Sequence, residues 1–131
     1  MTDEQHSYWL RYIELLAGQL RLRDWVVILN RDSVEDGQHA AENQVRYGKR
    51  TLNLWLSSYF YVSSPEEQRS TIVHELLHAH FERIEAIVHV AFPEDEQPLF
   101  KRIHAKEWET VIDTMALIVA DRLPLPEKKT G

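Results

Sequence analysis

The chain has 131 residues, a net charge of −6 and a sequence pI of about 5.6, and 44% of its residues are hydrophobic. This length fits one domain with its own hydrophobic core, and the acidic balance argues against a dedicated nucleic-acid-binding surface, which is usually basic. The absence of cysteine excludes a disulfide framework, a cysteine-based zinc ribbon and a thiol nucleophile.

The two ends of the chain carry no sign of a targeting segment. The N-terminal run MTDEQHSYWL is polar and acidic, unlike a secretory signal. The longest apolar runs, such as ALIVA at 116–120, are too short to span a membrane. We therefore expect a cytoplasmic protein that forms one domain over 1–131, with a frayed tail over about 124–131, where two prolines precede EKKTG.

The N-terminal half predicts a helix followed by a small sheet of antiparallel type. Apolar residues recur at helical spacing over 4–21, and the β-branched run at 25–30 is typical of a buried strand. A turn is predicted at 36–37, and two further strands are predicted at about 39–47 and 50–57. The last of these has one apolar face at period two, formed by Leu52, Leu54 and Leu56.

Two long helices are predicted in the C-terminal half. The run Ser64-Pro65-Glu66-Glu67 combines a capping serine, a proline suited to the first helical position and a glutamate that completes a capping box. The helix that it opens is expected to run to about Ile84. A last helix is expected from near Pro98 to Leu123, where the next proline stops it. The whole pattern predicts an α+β fold.

An HExxH motif, His74-Glu75-Leu76-Leu77-His78, lies within the first of these helices. Residues four apart share a helix face, so both imidazoles can point at one ion, and zinc accepts neutral imidazole nitrogen. Glu75 is rotated by about 100° from His74, which lets it take a proton from a zinc-activated water. The alternative is a helix that contains these residues by accident. Burying them among apolar neighbours without a purpose is costly, so we interpret the motif as a metal site.

The last helix offers the third protein ligand that a catalytic zinc normally has. With Ile112 at the centre of its apolar face, Glu109 lies about 60° from that centre and Glu107 about 140° from it. Glu109 is therefore the predicted third ligand. Asp113, one turn further on, is interpreted either as the hydrogen-bond partner of a ligating histidine or as a solvated charge.

The order of these motifs resembles the gluzincin pattern, in which HExxH is followed by a downstream ExxxD, here Glu109 to Asp113. Over 64–115 the chain is similar to minimal gluzincin-like zincin metallopeptidases and to compact HExxH proteins often encoded by bacteriophages. The resemblance implies a zincin-like fold with one zinc ion, peptide lying along an edge strand, and the strand at 50–57 as that edge. It also implies particular roles: zinc ligation by His74, His78 and Glu109, general-base catalysis by Glu75, and a hydrogen bond to a ligating histidine from Asp113.

Larger gluzincins stabilise the oxyanion with a histidine or tyrosine from a second subdomain, for which this chain is too short. His104, Tyr59 and Tyr61 are the candidates for that role or for the rim of the site. His104 is about 140° around the helix from Glu109, so the two cannot easily bind one ion, and a partly exposed structural histidine is the favoured interpretation. SprT-type proteins are a neighbouring family, but they typically use a third histidine and often carry a cysteine-rich ribbon.

The sequence thus predicts a zinc-dependent metallopeptidase that acts on a protein or peptide substrate, without a membrane or nucleic-acid partner. Two alternatives remain. One is a non-catalytic zinc-binding domain that acts by binding another protein, and the other is a protease specific for a single regulatory partner. Substrate preference and oligomeric state do not follow from the sequence.

Overall fold

A computed structural model describes residues 1–35, 38–91 and 98–127 of the chain. The helices and strands follow one another in the order α1 (Asp3–Gln19), β1 (Val26–Leu29), β2 (Ala41–Arg46), β3 (Thr51–Leu56), α2 (Ser58–Val62), α3 (Pro65–Ala91) and α4 (Pro98–Ala120). The α+β class is therefore confirmed, as is the existence of the predicted helices and strands. The expectation of a buried strand at 25–30 is wrong, because Val26 and Ile28 of β1 are exposed and only Leu29 is buried. The turn predicted at 36–37 lies outside the described residues.

Two features of the helices differ from the sequence prediction. The short helix α2 was not predicted, and α3 continues beyond Ile84 to Ala91. Neither glycine nor proline, the two residues least favourable in a helix interior, occurs between Ile84 and Ala91, so nothing in the local sequence interrupts the helix there. Each helix in the described ranges is too short or too polar to cross a bilayer.

The three strands form a mixed sheet in the order β1-β3-β2. Strand β1 pairs with β3 in parallel and β2 pairs with β3 in antiparallel fashion, so the expected antiparallel-type sheet is only half right. Strand β3 lies in the centre, and the expectation that 50–57 is the edge strand is wrong. Its period-two pattern reports one buried face but says nothing about how many neighbours it has. The edge strand that packs most closely on α3 is β2.

The core lies between one face of this sheet and the helices. Strand β3 contributes Leu52, Leu54 and Leu56, all of which are buried. The same core contains buried apolar side chains from three helices, including Ile13 and Leu16 of α1, Ile72, Val73 and Leu76 of α3, and Ile112 and Ala116 of α4, which packs on α3. Full burial of one such side chain contributes roughly 1.5–3 kcal/mol, so this core fixes the positions of α3 and α4 relative to each other.

The start of α3 has the predicted capping box. The backbone N–H of Glu67 donates to the Ser64 hydroxyl at 3.1 Å, and the backbone N–H of Ser64 donates to the Glu67 carboxylate at 3.2 Å. These two bonds satisfy donors that the first turn of a helix leaves without partners. The motif helix is therefore anchored at its first residue.

The C-terminal stretch 124–127, expected to be frayed, packs against α1 instead. The hydroxyl of Tyr12 donates to the carbonyl oxygen of Pro124 at 2.8 Å, and Tyr8 donates to the carbonyl oxygen of Glu127. Pro126 is buried. Helix α4 ends at Ala120 rather than at the expected Leu123, and tyrosine hydroxyls from α1 bind the carbonyl oxygens of Pro124 and Glu127 beyond it. The remainder of the predicted tail, 128–131, lies outside the described residues.

Candidate metal centre

Helix α3 presents two different faces to its neighbours. Its apolar face is held in the core by Ile72, Val73 and Leu76, while His74 and His78 point toward α4. The two imidazole side chains are 16% and 15% exposed. Their Nε2 atoms lie 3.3 Å apart, with the ring planes inclined at 63°. The i, i+4 spacing thus brings two nitrogen donors together at the helix surface.

Helix α4 adds a carboxylate at the same point. Oε2 of Glu109 lies 3.1 Å from Nε2 of His74, and Oε1 lies 3.2 Å from Nε2 of His78. The packing of Ile112 and Ala116 in the core sets the rotation of α4, and Glu109 consequently falls at the border between its buried and exposed sides. Its side chain is 52% exposed, so the group of donors reaches the protein surface.

The spacing of these three donors fits zinc. The two Nε2 atoms are 3.3 Å apart, and each lies 3.1–3.2 Å from a different oxygen of the Glu109 carboxylate. In a tetrahedral zinc site with bonds of about 2.0–2.1 Å, any two ligand atoms are separated by roughly 3.3–3.4 Å. Two imidazole nitrogens and one carboxylate form one of the donor sets found in catalytic zinc sites, where the fourth position is left for water or substrate.

Asp113 lies behind the first histidine. Its Oδ1 is 2.7 Å from Nδ1 of His74. A proton on Nδ1 then donates to this carboxylate and leaves the lone pair of Nε2 directed toward Glu109 and His78. This contact selects the tautomer and the ring orientation that metal binding needs.

The protonation of His78 also favours a metal. Burial lowers the pKa of His78 below its usual value, although the nearby Glu109 carboxylate raises it in part. The ring of His78 therefore stays neutral down to a lower pH than the ring of a free histidine does. The neutral form binds a metal ion, since a protonated ring has no free lone pair.

Glu75 is the most enclosed of the three polar residues of the motif, at 7% exposure. Its carboxylate oxygen lies within 4.8 Å of ring nitrogens of both motif histidines. Burial raises the pKa of Glu75 to about 7, an effect that a hydrogen bond from Asn43 and the charge of His74 partly offset and that Glu109 and Glu42 reinforce. A carboxylate with a pKa near neutrality is suited to taking up and releasing a proton.

Sequence reasoning missed Asn43, whose Nδ2 donates to Oε2 of Glu75. The residue lies on β2, opposite Leu54 of the central strand, and therefore on the face that points toward the helices. Its neighbours on that face are Ala41 and Val45. A polar residue within the inward-facing register of a strand was the available signal.

The three candidates for the oxyanion or rim role lie in other surroundings. The His104 ring is stacked on Phe100, with centroids 6.0 Å apart, and lies 5.3 Å from the ring of Trp108. Tyr59 is half exposed on α2, and Tyr61 packs against aromatic rings of α1 and α2. Over the described ranges, neither group of side chains able to hold a metal includes any of the three.

Fold and site together describe an α+β protein in which two helices bring His74, His78 and Glu109 together beside the buried Glu75. Two overlapping groups of these side chains could hold a metal ion, His74 with Glu75 and His78, and His74 with Glu109 and Asp113. Comparisons with protein-family models, with curated proteins and with solved structures find no match to this chain.

Proposed function

We propose that this protein is a zinc-dependent metallopeptidase with a zincin-like arrangement of its site. The observation that carries the proposal is the convergence of His74, His78 and Glu109: the two Nε2 atoms are 3.3 Å apart, close to the edge length of a zinc tetrahedron, and both lie within 3.2 Å of the Glu109 carboxylate. The position of Glu75 beside them supports a hydrolytic reaction rather than a purely structural metal.

His74, His78 and Glu109 would hold the ion. Bound there, zinc supplies Lewis-acid activation of a water molecule and of the scissile carbonyl group. Asp113 keeps the ring of His74 in the orientation that directs Nε2 at the metal position. The exposure of Glu109 leaves a side of the site open to solvent, so a substrate can approach.

Glu75 is the general base of the proposed reaction. As a carboxylate it accepts a proton from the attacking water, and as the resulting acid it donates that proton to the nitrogen of the departing amine. Each transfer requires a group whose pKa lies close to the working pH, and burial gives Glu75 that property. The proton is returned within one turnover, so the residue ends as it began.

The peptide substrate is proposed to lie along β2. This strand is at the free edge of the sheet, packs next to the motif helix and carries Asn43, which contacts Glu75. An edge strand offers unpaired backbone groups, to which an extended peptide can add as a further strand.

Zinc content tests the proposal directly. We expect about one zinc per purified chain, a sharp loss in Glu109→Ala, and no loss in Glu107→Ala, a matched change on the solvent side of the same helix. Absence of zinc from the wild-type protein, even after refilling under mild conditions, would rule out a metallopeptidase.

A second experiment separates a general peptidase from the two alternative functions. Glu75→Gln keeps the three zinc donors and removes the base, so a bound substrate protein should be retained uncut. Cleavage of that same protein by the wild type, with casein left intact, would indicate a protease specific for one partner. A retained protein that the wild type also leaves intact would indicate a non-catalytic zinc-binding domain.

A further inference from the structure

The contact between Asn43 and Glu75 joins the edge strand to the motif helix. The two residues are separated by 32 positions in the chain, and the Asn43 amide nitrogen donates to Oε2 of the Glu75 carboxylate. The contact is thus a product of tertiary packing. Asn43 is outside both groups of potential metal-binding side chains in the described residues, so its contact is with the base rather than with the zinc donors.

The hydrogen bond between Asn43 and Glu75 lies in surroundings that are largely shielded from water. Asn43 lies on the inward face of β2 between Ala41 and Val45, and Glu75 is 7% exposed. A buried amide or carboxylate without a hydrogen-bond partner costs free energy, and hydrogen bonds to a charged group are the stronger class. The partly buried Asn43 amide thus supplies a hydrogen bond to a carboxylate that is largely shielded from water.

The geometry also restrains the carboxylate. A glutamate side chain has three rotatable bonds, the last of which exchanges its two oxygens readily. The Asn43 amide binds Oε2 and so limits this exchange, while a carboxylate oxygen of Glu75 lies within 4.8 Å of a ring nitrogen of each motif histidine. Because proton transfer needs the accepting oxygen within hydrogen-bond distance of the water, an orienting contact of this kind acts on the reaction without touching substrate.

We propose that Asn43 is a positioning residue, which orients Glu75 so that one carboxylate oxygen faces the ligand at the zinc position. This inference rests on the proposed function, since it presupposes a metal centre beside Glu75. It adds a role for a strand residue that lies outside the HExxH and ExxxD motifs.

The test uses a small ligand rather than turnover. Acetohydroxamate chelates zinc through its two oxygens and hands its hydroxyl proton to a suitably placed carboxylate, so its affinity reports on the orientation of Glu75. The dissociation constant would be measured by calorimetry at one fixed pH on the zinc-loaded wild type and on variants of known zinc content and melting temperature.

The variants separate orientation from packing. Asn43→Leu removes the donor at similar volume, and Gln44→Leu makes the same chemical change on the outer face of the same strand. Glu75→Gln shows how far hydroxamate affinity falls when the base itself is lost. Asn43→Ala is the second choice should leucine prevent folding, because it deletes the donor without adding apolar volume.

We expect hydroxamate binding to weaken about tenfold in Asn43→Leu and at least as much in Glu75→Gln, with zinc content unchanged, and to stay at the wild-type level in Gln44→Leu. Wild-type affinity in Asn43→Leu beside a weakened Glu75→Gln would overturn the positioning role and leave the metallopeptidase proposal intact. Wild-type affinity in Glu75→Gln would overturn the role of both residues while the metal centre stands. If the wild-type protein takes up no zinc, both the proposed function and the positioning role of Asn43 are overturned.

Discussion

Nδ1 of His74 lies 2.7 Å from Oδ1 of Asp113, across the interface between α3 and α4. The other ring nitrogen of His74 faces Glu109. The imidazole of His74 therefore contacts two carboxylates of α4, one through each ring nitrogen. The residues that carry these carboxylates are one helical turn apart.

Asp113→Asn should weaken zinc binding without abolishing it. The amide is a poorer acceptor and can present its NH₂ group to Nδ1, so His74 loses the contact that fixes its tautomer. Loss of such a hydrogen-bond partner typically costs about 10–100-fold in metal affinity. Competition with a chromogenic chelator would measure it. Glu107→Gln is the control, and equal affinity in the two variants would show that Asp113 is a solvated charge.

The free energy of unfolding of the metal-free protein should depend on pH through Glu75. Its pKa is about 7 when folded and near 4.5 when unfolded, so the folded state binds more protons between these values. Its stabilising contribution is full below about pH 4.5 and is lost as the pH rises through 7. The wild type should therefore lose about 2.5 kcal/mol relative to Glu75→Gln between pH 5 and pH 8.

Urea unfolding of both proteins in the presence of a chelator would measure this difference. His78 acts in the opposite direction: its pKa is lowered in the folded state, so its contribution is lost as the pH falls. Since both proteins contain His78, comparing them largely removes that effect. A pH-independent difference between the two proteins would show that Glu75 keeps an ordinary pKa when folded.

His78→Ala and His80→Ala should have opposite consequences, although the two residues are separated by one position. Nε2 of His78 faces Glu109, whereas Nε2 of His80 lies 2.5 Å from the carbonyl oxygen of Leu20. We expect His78→Ala to lose zinc, and His80→Ala to keep it while losing about 1 kcal/mol of stability from one hydrogen bond. Zinc content and urea unfolding of each variant would check this, and zinc loss in His80→Ala would contradict it.

Ser64→Ala should destabilise the protein by about 1 kcal/mol, the usual cost of removing a helix N-cap. The serine hydroxyl accepts from the backbone of Glu67 and begins the motif helix ten residues before His74. Ser64→Asp retains an acceptor and should restore most of the stability. Zinc content should stay the same in both variants, because the core residues of α3 hold the histidines in place.

Some of this architecture could be read from local sequence. The capping box at Ser64, the two long helices and the strands at 26–29, 41–46 and 51–56 follow from spacing and from residue type within a few positions. The same holds for the shared helix face of His74 and His78, because helical geometry dictates it.

Long-range pairing could not be read in this way. The alternation of Leu52, Leu54 and Leu56 correctly indicated one buried face of β3, yet the strand lies between two partners, and β1 pairs with it in parallel. Such a pattern is compatible with a strand at the edge of the sheet and with one at its centre, since strand order depends on the paths of the connecting segments. The tyrosine contacts that hold 124–127 on α1 join opposite ends of the chain and left no local signal.

By itself, then, the sequence determined the elements and the faces of the helices on which the chemically important residues lie, because backbone geometry and residue spacing are local properties. Only the tertiary structure decided which of those faces meet. The packing of α4 on α3 sets the 3.1 and 3.2 Å distances from Glu109 to the two histidines, and the packing of β2 on α3 brings Asn43 to Glu75. Such contacts depend on how the apolar faces fill one common core, which no short stretch of the chain specifies.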